Sequence, residues 1–418
     1  FHIIFAVVGI GLPALMVIAE WRWLRTGDTV YRYLAQRWAK GTGILFAVGA
    51  VSGTVLSFEL GLLWPEFMEF AGPLIGMPFS LEGFAFFTEA IFLGVYLYGW
   101  DRIPPGTHLF AGVMVAVSGI ASGIFVVIAN AWMNSPTGFR LVDGRAVDVD
   151  PIAAMLNPYA LPQTLHMTLA AFVATGFAVA GIHAFLLMRN PGSGFHRRAL
   201  SIALLVGAPA AILQPLSGDL SARAVARQQP AKLAAMEALF ESGPRAPLTI
   251  GGWPDVDAQT TRFGIEIPAG LSLLAFHDPD ALVQGLDSIP REDWPNIPIV
   301  HGAFQVMVAL GTWLALLSIW AGVVRWRTGK LEHRWLLRAL AVAAPMGFIA
   351  IEAGWVVTEV GRQPWVIQGV LRTSEAVTPM PGLVVPFVAV TLLYLMLAVI
   401  VVWLLYRQIV RTPVEHGA

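Results

Sequence analysis

Long apolar runs separated by short polar connections dominate the chain. Nine runs reach the length of about 20 residues that a helix needs to cross the ~30 Å hydrocarbon layer of a membrane. They fall near residues 3–21, 43–64, 79–99, 109–131, 165–188, 199–217, 299–324, 336–357 and 384–406. A strand isolated in lipid would leave its backbone groups unpaired, so each run is predicted to be a helix. The largest polar interval, 218–298, is rich in Pro, Gly and acidic residues, among them Asp255, Asp257, Asp278, Asp280, Glu292 and Asp293. Within it Pro230–Phe240 (PAKLAAMEALF) predicts a short helix with Pro in its first turn. The expected architecture is an all-α integral membrane protein. It forms one polytopic domain over 1–418, with 218–298 as an extracytoplasmic loop between spans six and seven.

Composition agrees with that class. The chain has 418 residues, 56% hydrophobic and 13% charged, with mean hydropathy +0.68, whereas a soluble domain carries about 25% charged residues. A net charge of −1 without a basic block gives no reason to expect nucleic acid as a partner. The absence of cysteine excludes disulfides, thiolate-held iron–sulfur clusters and covalently attached haem. Phe1 already lies in an apolar run, so residues ahead of it are expected in the full protein. The first span is expected to be structural rather than a cleaved signal.

The basic residues orient the spans. Arg22, Arg25, Arg32, Arg37 and Lys40 follow span one, and Arg102 follows span three. Arg189, Arg197 and Arg198 follow span five. Arg325, Arg327, Lys330 and Arg334 follow span seven, and Arg407 and Arg411 follow span nine. The alternate connections are poorer in such charge, so the positive-inside rule puts the N-terminus outside and the C-terminus in the cytoplasm. In that arrangement His2, Glu82, His166, Met307 and Glu359 all fall at or near the outer ends of their spans. Ionisable and soft-ligand side chains are costly in hydrocarbon, so five of them in one leaflet point to a membrane enzyme with redox centres near the outer surface. Glu82 and Glu89 are two helical turns apart, about 10.5 Å along one face. Glu89, the deeper of the two, suits either a proton relay or a polar helix–helix contact. Glu59 and Glu352 also lie near outer helix ends, and Glu352 precedes Glu359 by the same two turns. His183, His196, His277, His301, His333 and His416 receive no role.

The stretch EAGWVVTEVGRQPW at 352–365 resembles subunit I of cytochrome bd quinol oxidase, whose family carries a GRQPW segment just after an acidic haem ligand. The resemblance runs from Phe1 to about Trp403. It includes FHIIF at 1–5, LEGFAFFTEA at 81–90, YGWDR at 98–102, ANAWM at 129–133, LNP at 156–158, KLAAME at 232–237 and QVMV at 305–308.

It implies a haem-binding helical bundle in a prokaryotic cytoplasmic membrane, with three non-covalent haems: a low-spin haem b, a high-spin haem b and a haem d, or a third haem b in its place. His166 and Met307 resemble the axial pair of the low-spin haem, and such filled ligation suits electron transfer. His2, Glu82 and Glu359 resemble the ligands of the other two irons, without individual assignment. Arg362 resembles a propionate-binding residue, and Trp355 either an aromatic packed between haems or an interfacial tryptophan. Glu89 resembles part of the family's proton route. Lys232 and Glu237 match its quinol-binding residues, although their spacing alone reads as a solvated charge pair. Gln305 stands where the commoner pattern has Arg, a change expected to lower the haem potential or alter propionate contacts. The loop resembles that of the short-loop subgroup.

The implied reaction is oxidation of quinol at the outer face and reduction of dioxygen to water, building membrane potential without a pump. The partners implied are subunit II, small single-span subunits and membrane lipid. A second reading is a divergent relative with b-type haems only, or with a donor other than quinol. A transporter would instead place its polar groups near the midplane at broken helices.

Overall fold

The computed structural model describes residues 1–411; His416 and the side chain of Arg411 lie outside what is described. Nine spans are present among the described residues. In chain order the helices are α1 (His2–Thr26), α2 (Thr29–Leu63), α3 (Pro65–Tyr98), α4 (Pro105–Asn134), a short α5 (Pro151–Met155), α6 (Ala160–Arg189) and α7 (Gly194–Gln228). They continue with α8 (Pro230–Glu237), α9 (Gly270–Phe276), α10 (Ile297–Thr328), α11 (Arg334–Ala343), α12 (Met346–Val360) and α13 (Val384–Tyr406).

Several helices are longer than their apolar runs. α2 has 35 residues, about 50 Å at 1.5 Å per residue, well beyond a hydrocarbon layer. Its first turns absorb Arg32, Arg37 and Lys40, which the sequence placed in a connection; the true connection is only Gly27–Asp28, with the Asp28 side chain capping α2. α3 starts at Pro65 rather than near 79, so Glu82 sits in mid-helix instead of at its opening. α7 runs on to Gln228, which leaves 229–296 as the loop. The eighth span is not one helix. It breaks at Ala344–Pro345, because proline lacks the N–H the ladder needs and its ring crowds the preceding turn.

The loop 229–296 is folded. It holds α8, α9 and three nested antiparallel strand pairs: Gly243–Pro244 with Leu282–Val283, Leu248–Ile250 with Ile265–Ile267, and innermost the hairpin Trp253–Asp255 with Thr260–Arg262. Leu233, Phe240, Leu271 and Leu286 form a buried cluster with Val300 of α10 and Val357 of α12, so the loop's core is continuous with the bundle. The chain segments 135–159, 229–296 and 361–383 interlock at one end of the bundle. Gln368 N–H donates to Met133 O at 2.9 Å, and Arg372 pairs with Asp293 at 2.6 Å. The short connections meet at the far end, where Arg198 pairs with Asp28 at 2.7 Å, Arg32 with Asp101, and Arg197 with Glu332.

α6 is the most buried span among the described residues. Lipid gives no hydrophobic drive to pack helices together, so close backbone approach through small residues has to supply the attraction. A Cβ on Gly176 of α6 would lie 2.6 Å from Gly207 Cα of α7, and one on Gly347 of α12 would lie 2.5 Å from Ala174 Cα of α6. These crossings fix the height of α6, and therefore of His166, against its neighbours. Gly176→Ala should lower thermal stability in detergent by about 1–3 kcal/mol, because the added methyl has no space. Gly76→Ala, where nothing lies within 4 Å, should leave stability unchanged or raise it slightly. Equal melting temperatures for the two variants would contradict the crossing argument.

Candidate functional site

α4 is the spine of the site. Its polar and glycine positions meet, in order from the loop end, four side chains that the sequence singled out and then Tyr96 and Glu20, which it did not. Asn134 Oδ1 accepts from Lys232 Nζ at 2.7 Å. Asn130 Nδ2 donates to Glu359 Oε1 at 2.7 Å. Ser122 Oγ donates to Glu82 Oε1 at 3.1 Å. A Cβ on Gly119 would lie 3.3 Å from Glu89 Oε1, and one on Gly112 would lie 2.7 Å from the Tyr96 ring. His108, near the far end, bridges Glu20 Oε1 at 2.7 Å and Tyr96 O at 2.9 Å. From Asn134 to His108 this line descends about 39 Å at 1.5 Å per residue.

Each candidate ligand is held by a neighbouring helix. His2 Nδ1 lies 2.8 Å from Ser52 Oγ on α2, so the residue at the start of the chain is a packed side chain rather than a solvated terminus. His166 Nδ1 lies 2.9 Å from Ser217 Oγ on α7. Glu359 is gripped from both sides, by Asn130 and by Arg362 Nη2 at 2.5 Å. A Cβ on Gly354 of α12 would lie 3.1 Å from Met307 Sδ on α10, so the thioether lies against bare backbone. Ile3, Ile120, Met167 and Trp355 share one apolar cluster. Ile3 adjoins His2, Met167 adjoins His166 and Trp355 lies one turn before Glu359, so that cluster links α1, α6 and α12 beside three of the candidates. The donor set of two imidazoles, a thioether and two carboxylates suits haem iron. Arg362 is 3% exposed, and its Nε and Nη1 have no partner among the described residues. Leaving such groups unmatched costs about 1–3 kcal/mol each, and haem propionates would match them.

The loop residues are not a solvated pair. Lys232 and Glu237 are 2% and 3% exposed. The Lys232 stem packs on Gly361, where an added Cβ would lie 2.9 Å from its Cγ. Burial, aided by the nearby Arg362 guanidinium, pushes the Lys232 ammonium well below its usual range, while Glu359 opposes this. Burial also pushes the Glu237 carboxyl up to about 7, against the opposing Thr249 N–H at 3.4 Å. A carboxylate poised there can take a proton near neutral pH. One hydrogen-bonded chain links this helix to the candidate haem ligand: Lys232 to Asn134, Asn134 Nδ2 to Asn130 Oδ1 at 3.1 Å, and Asn130 to Glu359.

Sequence reasoning passed over several participants. Asn130 lies in the quoted ANAWM segment but received no role, and Asn134, Gln163 and Gln229 extend its network. Glu20 and His108 were masked by the charged segment and the connection beside them. His301, left without a role, is fully packed: Nδ1 lies 2.8 Å from Met236 O and Nε2 3.1 Å from Gly251 O. One turn on, Gln305 accepts from Gly251 N at 2.9 Å and donates to Thr249 O at 3.0 Å. Gln305 therefore anchors the loop, and its side-chain amide is spent on backbone rather than aimed at a propionate. Glu89 is 4% exposed, and its Oε1 has no partner among the described residues. Glu352 also has an unpartnered buried oxygen, and Glu59 is half-buried.

Residues 1–413 match the family described as cytochrome bd terminal oxidase subunit I. The chain is 39% identical over 423 residues to the putative cytochrome bd menaquinol oxidase subunit I of Bacillus subtilis (strain 168), covering all of this chain and 95% of that one. It is 30% identical to the cytochrome bd-II ubiquinol oxidase subunit 1 of Escherichia coli (strain K12), over 90% of this chain and 87% of that one. Among solved structures it is similar to the bd oxidase from Geobacillus thermodenitrificans, with TM-score 0.92 and 38% identity, covering 99% of this chain and 95% of that one.

The Glu237 environment fixes a sign. Its folded value of about 7 exceeds the ordinary 4.5, so the protonated form is the one the fold prefers. The contribution is full below about 4.5 and is lost as pH rises through about 7. Hydrogen exchange of the 229–251 amides should therefore speed up over that window, beyond the intrinsic pH effect. Glu237→Gln should remove the extra acceleration, and a variant that kept it would place the titrating group elsewhere.

Proposed function

The chain belongs to the cytochrome bd terminal oxidase subunit I family, and from that premise we propose how its residues divide the work. The protein is the haem-carrying subunit of a respiratory quinol:oxygen oxidoreductase, a multi-pass protein of the bacterial cytoplasmic membrane. Its His166 and Met307 would hold a low-spin haem b. His2, Glu82 and Glu359 would hold a high-spin haem b and a haem d, or a further haem b. When bound, these groups carry the electrons and supply the oxygen chemistry. Arg362 and Trp355 line their binding space.

The observation that carries the quinol reading is the buried chain from Lys232 through Asn134 and Asn130 to Glu359. Quinol oxidation releases two protons and two electrons. Glu237 is placed to accept a proton and Lys232 to donate to a quinol oxygen. The rigid link to Glu359 keeps that site at a fixed separation from the iron ligands. Topology by basic residues puts this end outside, so quinol protons leave there.

Protons for oxygen reduction then come from the far end. Glu82, Glu89 and Tyr96 recur every seven residues on α3, each step about 10.5 Å, a span that water has to bridge. Tyr96 leads to the buried Glu20–His108 pair near the far end. This polar line across hydrocarbon supports uptake from the cytoplasm and charge separation without pumping. Apolar faces on α2, α3 and α13, with Phe58, Phe87 and Phe387 exposed, suit lipid and the further membrane subunits, subunit II and small single-span chains.

Replacing both Lys232 and Glu237 with Ala should cut quinol-driven oxygen uptake at least tenfold while an artificial reductant still supports turnover. Oxygen-electrode rates with both donors, with haem content measured alongside, check this. Equal loss with both donors would place electron entry elsewhere. Glu89→Leu should slow steady-state oxygen reduction yet leave quinol reduction of the low-spin haem intact. Proton uptake in a single turnover, followed with a pH dye, tests the route. A normal uptake rate at full haem content would show that protons bypass Glu89.

A further inference from the structure

The two histidines proposed as iron ligands share a local device. Each has Nδ1 against the hydroxyl of a serine on the next helix, Ser52 for His2 at 2.8 Å and Ser217 for His166 at 2.9 Å. A hydroxyl has one proton to give and two lone pairs. Both serines sit inside helices, where the hydroxyl bonds back to a carbonyl of the preceding turn. Ser52 Oγ is 2.9 Å from Val48 O and 3.2 Å from Gly49 O, and Ser217 Oγ is 2.9 Å from Gln214 O. With the proton given to its own helix, each serine oxygen accepts, so each imidazole donates from Nδ1.

The opposite tautomer leaves an unmatched group. A proton on Nε2 would need an acceptor there. For His166 the neighbouring side-chain group is the Gln214 amide nitrogen, 3.2 Å from both ring nitrogens. That equal spacing puts it over the ring face rather than on the in-plane lone pair. The same nitrogen donates to His166 O at 3.1 Å, which fixes the amide's orientation and makes it no acceptor. For His2 the ring lies over Gly53, where an added Cβ would sit 2.9 Å from Cε1 and 3.4 Å from Nε2. The serine and the glycine that follows it thus hold the ring from two sides.

We propose that Ser52 and Ser217 are positioning residues that fix the tautomers of His2 and His166, keeping the proton on Nδ1 and leaving the Nε2 lone pair for iron. The inference rests on reading the two histidines as ligands and adds what selects their binding nitrogen. A hydrogen bond from the far nitrogen of a ligating imidazole makes it a stronger electron donor. That favours ferric over ferrous iron, so losing the bond should raise the midpoint potential.

The test compares Ser217→Thr with Ser217→Val in the purified holoenzyme. The two side chains have nearly the same shape, and only Thr retains the hydroxyl and can still bond back to the preceding turn. The Thr variant should keep the wild-type midpoint of the low-spin haem in an optical redox titration. The Val variant should shift it upward with altered electron paramagnetic resonance g-values, or lose that haem while Thr keeps it. Either result supports the assignment. Identical midpoints and g-values in Thr and Val would overturn it. His166→Leu, measured in parallel, must abolish the low-spin signal. If the signal persists, the ligand reading itself fails; if it vanishes while Thr and Val agree, only the serine assignment fails. Ser52→Thr and Ser52→Val repeat the comparison on the high-spin signal.

Discussion

A polar side chain inside hydrocarbon must find a partner on another helix or bear the cost of being left unmatched, and that requirement organises this protein. α4 meets it for much of the bundle. Asn134, Asn130 and Ser122 each receive or hold a polar group from elsewhere in the chain. At Gly119 and Gly112 the absence of a side chain gives Glu89 and Tyr96 room. Because one rigid helix carries all these contacts, the heights of α3, α8 and α12 are set against a common ruler. A lost hydrogen bond at such a depth costs about 1–3 kcal/mol, comparable to a large share of a domain's net stability. The network is therefore structural, and it runs through the residues proposed to act.

The loop is tied to the same frame through α10. His301 and Gln305 lie one turn apart and grip the backbone at Met236, Thr249 and Gly251. Met307 follows on the same helix, against Gly354 of α12. Movement of the loop and movement of the candidate axial ligand are thus coupled through one element, not through a flexible tether. An amide at Gln305 fits this arrangement. An uncharged amide can both give to and accept from backbone, which a guanidinium cannot, because it has no acceptor.

Close packing of α6 supplies the remaining constraint. With glycine or alanine at its crossings with α7 and α12, small relative shifts bring backbone into overlap. Interfaces of this kind are stiff, and stiffness is what a chain of redox centres at fixed separations requires. The peripheral helices α2 and α13 are mostly exposed.

Much of this was legible in the chain. Nine apolar runs determined nine spans, because crossing hydrocarbon demands length and saturation of the backbone whatever the partners are. His2, Glu82, His166, Met307 and Glu359 stood out as candidates, since such side chains are rare in lipid. The motifs at 352–365 and 232–237 pointed to the family. Helix ends were misjudged at α2 and α7, because polar residues continue a helix past the membrane without any hydropathy signal, and at α3, where Pro73 and Pro78 lie inside a helix that begins at Pro65. The break at Pro345 was visible as a residue but not as an event, since lipid-embedded helices also tolerate proline, as α1, α3 and α7 do. Only the tertiary structure decided who meets whom. Lys232 reads as a surface charge until Asn134 and Gly361 enclose it. Ser52 and Ser217 read as filler until a histidine from another helix reaches each hydroxyl. Those pairings join residues dozens of positions apart, and periodicity along a single helix carries no record of the helix that packs against it.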